Sequence, residues 1–198
     1  MAMIDDGIGR LLVASLHQSI GDVMPARLDY YEHWLSPMGL REGRSGLAPL
    51  GAVLSFLRQE GQDTYDAVMT AAGRSSAEWH YAEGGLGRRL LAWQPRWLRR
   101  RSALGSATRL LRAAYHPLVV TTEVSRGRGT VTLAGSVFCT VRDTWPWPTC
   151  GWVAAALARH LELHGLVAAV RIETCRAQGG ATCTITVDFE GPAPSEPA

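Results

Sequence analysis

Lysine is missing from this chain: all 20 basic residues are arginine, set against 18 aspartates and glutamates. The lack points to no function by itself, although arginine is a flatter and more weakly hydrated cation than lysine. The near-even balance, a formal net charge of +2, argues against a nucleic-acid specialist, whose affinity rests on neutralised phosphates. No run reaches the roughly 18 apolar residues of a membrane span. The opening "MAMIDDGIGRLLVASLHQSIGDV" has neither the basic start nor the long unbroken apolar stretch of a secretory signal, and it carries Asp5 and Asp6 instead. The expectation is a cytoplasmic protein with reduced thiols, so the four cysteines are expected free, buried or metal-bound. Catalytic signatures are also missing: there is no GxSxG elbow, P-loop or HExxH. "GGLGRR" lies among predicted helices and "RGRGT" in a predicted hairpin, neither of them a dinucleotide turn.

What is present fits one domain over residues 1–190 and a Pro-rich tail, "GPAPSEPA", from 191 to 198. Ile8, Leu11, Leu12, Ala14, Leu16 and Ile20 form a helical stripe, with Asp5 or Asp6 near its start. "MPARLDYYEHWLSPMGL" reads as a Pro-started short helix, and further helices follow over "GLAPLGAVLSFLRQEG" and Gln62 to Tyr81, where Gly73 is a candidate close-packing point. The segment after Gly84 reads as two helical pieces broken near Pro95, with an Arg-rich outer face. Beyond His116 the texture turns β-branched. "HPLVVTTEVSRGRGTVTLAGSVFCTVR" predicts a hairpin, "WPWPTCGWVAAALARHLELHGL" a helix capped by Thr149, and "VAAVRIETC" with "TCTITVDFE" a second hairpin around "RAQGGA". The predicted class is α+β: a helical N-terminal half packed on an antiparallel sheet of about four strands, made of two hairpins with an intervening helix.

Cys175 and Cys183 flank the Gly-Gly turn and admit three readings: a metal grip, a disulfide, or small core residues. For a metal, Cys150 at the start of a helix is the first further ligand, because a helix N-terminus favours thiolate. Glu173, two before Cys175 on an extended strand, can face the same site as that cysteine, and Cys139 is the rival fourth ligand. His160 and His164 have a metal-binding spacing but lie roughly 15 Å or more along the helix from Cys150, so they read as surface residues favouring the helix dipole. Trp147, Trp152, Tyr115 and His116 are the candidates to line a pocket, with Trp145 beside them; aromatics are more often packing residues. Arg96, Arg99, Arg100 and Arg101 form a candidate patch for an anion or an acidic partner, or a solvated helix face.

Residues 138–189, through the stretch "FCTVRDTWPWPTCGWVAAALARHLELHGLVAAVRIETCRAQGGATCTITV", resemble the 4-vinyl reductase domain family. The stretch has a Cys before a small-faced helix, then a strand, "C-x-A-x-G-x-x-x-C" and a closing strand. The first 115 residues fit only loosely, through their helices and "AAGR". That family shares its fold with the palmitoyl-binding subunits of TRAPP tethering complexes, and the resemblance implies an often dimeric module with a hydrophobic pocket between helices and sheet. It further implies a structural zinc held by three cysteines, here Cys150, Cys175 and Cys183, and an acid. The family places the acid where this chain has Ile172; Glu173 stands one later, which keeps Cys139 in contention. The expected function is non-catalytic binding of a hydrophobic or aromatic molecule by a homodimer that signals through a separate protein partner. The alternatives are an accessory protein or enzyme of tetrapyrrole biosynthesis, with a partner bringing the reductant, and a TRAPP-like scaffold.

Overall fold

The computed structural model describes residues 8–35, 47–83, 95–115, 117–125, 127–141 and 143–189. Asp5, Asp6, His116, the stretch around Pro37, the helical piece expected before Pro95 and the Pro-rich tail lie outside them. Helix α1 spans Arg10–Val23 and is capped by the backbone of Gly9. It buries Leu12, Val13, Leu16 and Ile20, and also Ser15 and Ser19 on the same side. The serines replace the expected Leu11 and Ala14 on the inner face because this helix crosses another closely there: Ser15 Oγ and Ser76 Oγ are 2.7 Å apart. A 3₁₀ turn at Pro25–Arg27 leads into α2, Leu28–Glu32, and then α3 covers Leu47–Gln59. Helix α4 is the long Gln62–Glu83, and α5 runs Arg96–Ala114 from a Pro95 N-cap.

The hairpin β1 (Val119–Ser125) and β2 (Arg128–Ala134) turns through Gly127, which sits at φ +85. A 3₁₀ turn at Val137–Cys139 and the Trp-Pro loop lead to α6, Gly151–Leu163. Its N-cap is Cys150 rather than the expected Thr149, whose hydroxyl makes no capping bond and turns toward a sulfur instead. Strands β3 (Ala168–Thr174) and β4 (Cys183–Phe189) complete one antiparallel sheet of order β1-β2-β4-β3. The class is α+β as expected: a helical N-terminal half packed against a four-stranded sheet of two hairpins separated by a helix. Helices α5 and α6 pack on β1 and β3, over the inward residues Val131, Leu133, Ile185 and Val187. No helix among the described residues is long and apolar enough to cross a membrane.

The helical half is joined to the sheet half through α4 and α6. These helices run parallel, with Met69 against Gly151, Gly73 against Trp152 and Ala156, and Glu78 ion-paired to Arg159 at 2.7 Å. Contact is backbone to backbone at Gly73, which the sequence had marked as a close-packing point.

Candidate metal centre

Four segments deliver one cysteine each to a single point. Cys139 ends the 3₁₀ turn after β2, Cys150 caps α6, Cys175 follows β3, and Cys183 opens β4. The last two are folded together by the turn Arg176–Gln178 and by Gly179, whose φ of +92 is left-handed and favours glycine. Gln178 and Gly180 donate N–H groups to the Cys175 carbonyl at 3.0 and 3.2 Å, which pins the chain reversal.

All four sulfurs lie within 4.8 Å of one another, and all four residues are buried. Cys139 Sγ is 2.9 Å from Cys150 Sγ, 3.2 Å from Cys183 Sγ and 3.5 Å from Cys175 Sγ. Cys150 Sγ is 3.5 Å from Cys175 Sγ and 3.2 Å from Cys183 Sγ. These separations are far too long for a disulfide, about 2.05 Å, and the cysteines are free. They are also shorter than resting non-bonded contacts, since carbon atoms settle at about 3.5–4.0 Å and sulfur is larger. A tetrahedral zinc with Zn–S near 2.3 Å spaces its sulfurs about 3.8 Å apart, so the cage has to open by less than about 1 Å to hold it.

Donors in the surrounding shell favour thiolate. Thr149 N–H points at Cys175 Sγ from 3.4 Å, Arg176 N–H at Cys183 Sγ from 3.3 Å, and Thr149 Oγ1 at Cys139 Sγ from 3.5 Å. The adjoining Cys139, Cys150 and Cys183 sulfurs hold the Cys175 thiol below its ordinary range, whereas the Cys139 sulfur pushes the Cys183 thiol up. Four thiols this close cannot all ionise against one another, and a divalent cation among them removes the conflict. The donor set, spacing and burial fit zinc. With four protein ligands such a site is closed to water and supplies folding energy without activating a nucleophile.

Glu173 stands elsewhere: its exposed carboxylate accepts a 2.7 Å hydrogen bond from Thr186 Oγ1. The parity argument fails because the β3–β4 register shifts between Ile172 and Thr174, leaving Glu173 as the extra residue of a bulge. The bulge reverses the alternation, and Cys139 takes the fourth corner.

The candidate pocket residues are spread over three places. Trp152, 1% exposed on the first turn of α6, stacks on Phe138 with ring centres 5.3 Å apart. Its indole N–H is enclosed and has no acceptor among the described residues, and the Ser136 hydroxyl on the turn that carries Phe138 is likewise unpartnered among them. Trp147 is half-buried against Trp145 in the loop, edge to face at 5.3 Å. That loop is strapped to the cysteine turn by Trp145 N–H donating to the Ala177 carbonyl at 2.6 Å. Tyr115 ends α5 and bridges to Ile8; no ring contact among the described residues joins it to either tryptophan. Tyr65 was not anticipated as part of the site. It is fully buried on α4 and donates to the Thr149 carbonyl at 2.9 Å, tying the helical half to the cysteine loop. Burial pushes its phenol well above the ordinary range, so it stays a donor. Tyr65→Phe leaves that carbonyl buried and unsatisfied, and is expected to cost about 1–3 kcal/mol in a urea titration.

The arginine run is not a uniform cationic face. Arg101 is exposed, but Arg99 and Arg100 are half-buried, and of Arg96 only the backbone is described. The Arg100 guanidinium lies 5.2 Å from the centre of the Phe189 ring. It lines an open groove of about 810 Å³ whose walls include Glu123, Arg128 and Asp188, so the charge there is mixed. His160 is not on the surface either: it is 1% exposed, facing α4 rather than solvent.

No protein-family model matches the chain, and no curated protein does. Among the solved structures that share its fold are two sensory or ligand-binding proteins by name. The phenol-responsive sensory domain of the transcription activator PoxR, crystallised with phenol, is 15% identical with a TM-score of 0.50. The match covers 72% of this chain and 74% of that one. An H-NOX protein from S. oneidensis in the Fe(II)NO ligation state is 9% identical with a TM-score of 0.58, over 93% of this chain and 100% of that one. At these identities the likeness establishes the fold.

Proposed function

We propose that this chain is a non-catalytic sensory module that takes up a small aromatic molecule beside α6, with a structural zinc on the four cysteines holding the start of that helix in place. The observation that carries the reading is the Trp152 indole: a polar group sealed in the core with no acceptor, lying flat on Phe138. Buried donors are nearly always paired, and an aromatic guest bearing a hydroxyl supplies both the missing acceptor and a ring to pack beside Phe138. The Ser136 hydroxyl on the same turn is a second unpaired group that such a guest can meet. Sharing a fold with a phenol-responsive sensory domain supports this ligand class, and sharing one with an H-NOX protein supports a binding rather than a catalytic role.

Descent with the 4-vinyl reductase domain family belongs to the same reading, with Cys139 in place of the acid. The chemistry asked of the protein is selection and enclosure. Apolar packing gives affinity, and one directional N–H gives preference for a hydroxylated ring.

The test is calorimetry on the zinc-loaded protein with phenol and toluene as probes. Phenol is expected to bind more tightly than toluene, and Trp152→Phe to weaken phenol about tenfold or more while leaving toluene nearly unchanged. Absence of binding by both probes, or equal phenol affinity in Trp152→Phe, contradicts the proposal.

A further inference from the structure

At the other end of α6 from the cysteines, three histidines gather between parallel helices. His160 on the last turn of α6 and His164 at its C-cap are one helical turn apart, and His80 stands on the last turn of α4. The ring centres of His160 and His164 are 4.7 Å apart, and those of His80 and His160 are 6.0 Å apart. His160 is 1% exposed, and neither of its ring nitrogens has a hydrogen-bond partner among the described residues. An imidazole that gives up both water contacts and receives none in return is rare in a packed core. We propose that His80, His160 and His164 form a second metal site, distinct from the cysteine centre, for a divalent transition metal that prefers imidazole.

Coordination geometry sets the scale. A metal–nitrogen bond of about 2.0–2.1 Å puts each imidazole centre about 3.2 Å from the ion, and a tetrahedral angle then separates two ring centres by about 5.2 Å. The observed 4.7 and 6.0 Å fall on either side of that value. Among the described residues only the four cysteines already converge as ligands, so the histidine site closes on the ion by ring rotation when the metal binds. Nickel, cobalt, copper and zinc are the metals that nitrogen donors of this kind select.

The electrostatics suit ligation. Burial pushes the His160 imidazole down to about 3, with His164, His80 and Arg109 acting in the same direction. Burial also lowers His80 and His164, so all three rings present lone pairs at neutral pH. Glu83, three residues beyond His80 and acting on it electrostatically, supplies a nearby negative charge. Arg109 on α5 opposes a cation, but it is exposed and its guanidinium can withdraw into solvent. Tyr81 packs edge to face on His164 at 5.1 Å and limits how far that ring can swing. The cysteine centre is at least ten residues away along α6, about 15 Å, so the two sites cannot share an ion.

The experiment is a titration of the full, zinc-loaded chain with cobalt(II), followed by its visible absorption. The expected result is uptake of one cobalt per chain with ligand-field bands and no intense thiolate-to-cobalt charge-transfer band. His80→Gln and His164→Gln, at half-buried positions where a polar amide is tolerated, are each expected to weaken that uptake by at least the about 10- to 100-fold that outer partners of a metal ligand cause. Circular dichroism and melting of both variants are expected to match the parent. No cobalt uptake, uptake with the charge-transfer band of the cysteine centre, or unchanged affinity in both variants would overturn the proposal.

Discussion

Cys183→Ser is expected to lower the melting temperature of the protein by about 10 °C or more, and chelation of metal from the unaltered chain to do the same. Cys183 is fully buried at the start of β4, and its sulfur lies 3.2 Å from both Cys139 and Cys150. The four cysteines come from the turn after β2, the start of α6, the end of β3 and the start of β4, so one ion held on them would tie together the elements that build the sheet half. Structural zinc contributes about 10–16 kcal/mol of apparent binding energy in small zinc-finger peptides, comparable to the about 5–15 kcal/mol total stability of most domains. This domain has a large apolar core of its own, so loss of the ion weakens it rather than abolishing the fold. At about 2–4 °C per kcal/mol for a chain of this size, losing about 4 kcal/mol gives the shift stated. The two perturbations are not additive: chelator added to Cys183→Ser is expected to change little, because the site is already lost. A melting temperature unmoved by either treatment would make the cysteines ordinary core residues.

Gly73→Val is expected to be at least as damaging. A side-chain carbon at Gly73 comes within 2.4 Å of the Trp152 carbonyl oxygen and 2.9 Å of both the Ala156 nitrogen and the Ala155 Cβ. Two of these three neighbours are backbone of α6, which cannot swing aside as a long side chain does. Even Gly73→Ala forces the helices apart, and it is expected to cost more than the about 1–3 kcal/mol of ordinary overpacking despite the about 1 kcal/mol that alanine gains in a helix interior. Gly105 on α5 is the control, since nothing lies within 4 Å of the carbon added there. Gly105→Ala is expected to raise the urea midpoint slightly while Gly73→Ala lowers it. A rise in both would place the effect in helix propensity rather than in the α4–α6 contact.

The class of the fold was legible because each hairpin carries its own signals, β-branched alternation around Arg-Gly-Arg-Gly and around the Gly-Gly turn. Gly73 was legible as a small residue amid a long helical pattern. Three thiol ligands were legible from turn and cap positions together with the family resemblance. The fourth was not, because the case for Glu173 assumed unbroken alternation along β3, and a one-residue bulge at that very position reverses it. Thr149 was misplaced for a related reason: its N–H and hydroxyl serve sulfurs, a use that exists only once Cys139 and Cys175 arrive from elsewhere in the chain. His160 and Arg100 were read as surface residues from their polarity. Which side of a helix faces another helix depends on the neighbour, and for His160 that neighbour is His80, 80 positions earlier.

X-ray absorption at the zinc edge, on protein purified without added metal, tests the four-cysteine centre most directly. The account predicts about one zinc per chain with four sulfur neighbours near 2.3 Å, falling to three sulfurs and one lighter atom, or to no bound zinc, in Cys139→Ser. A first shell of three sulfurs and one oxygen in the unaltered protein, or no metal at all, would contradict it.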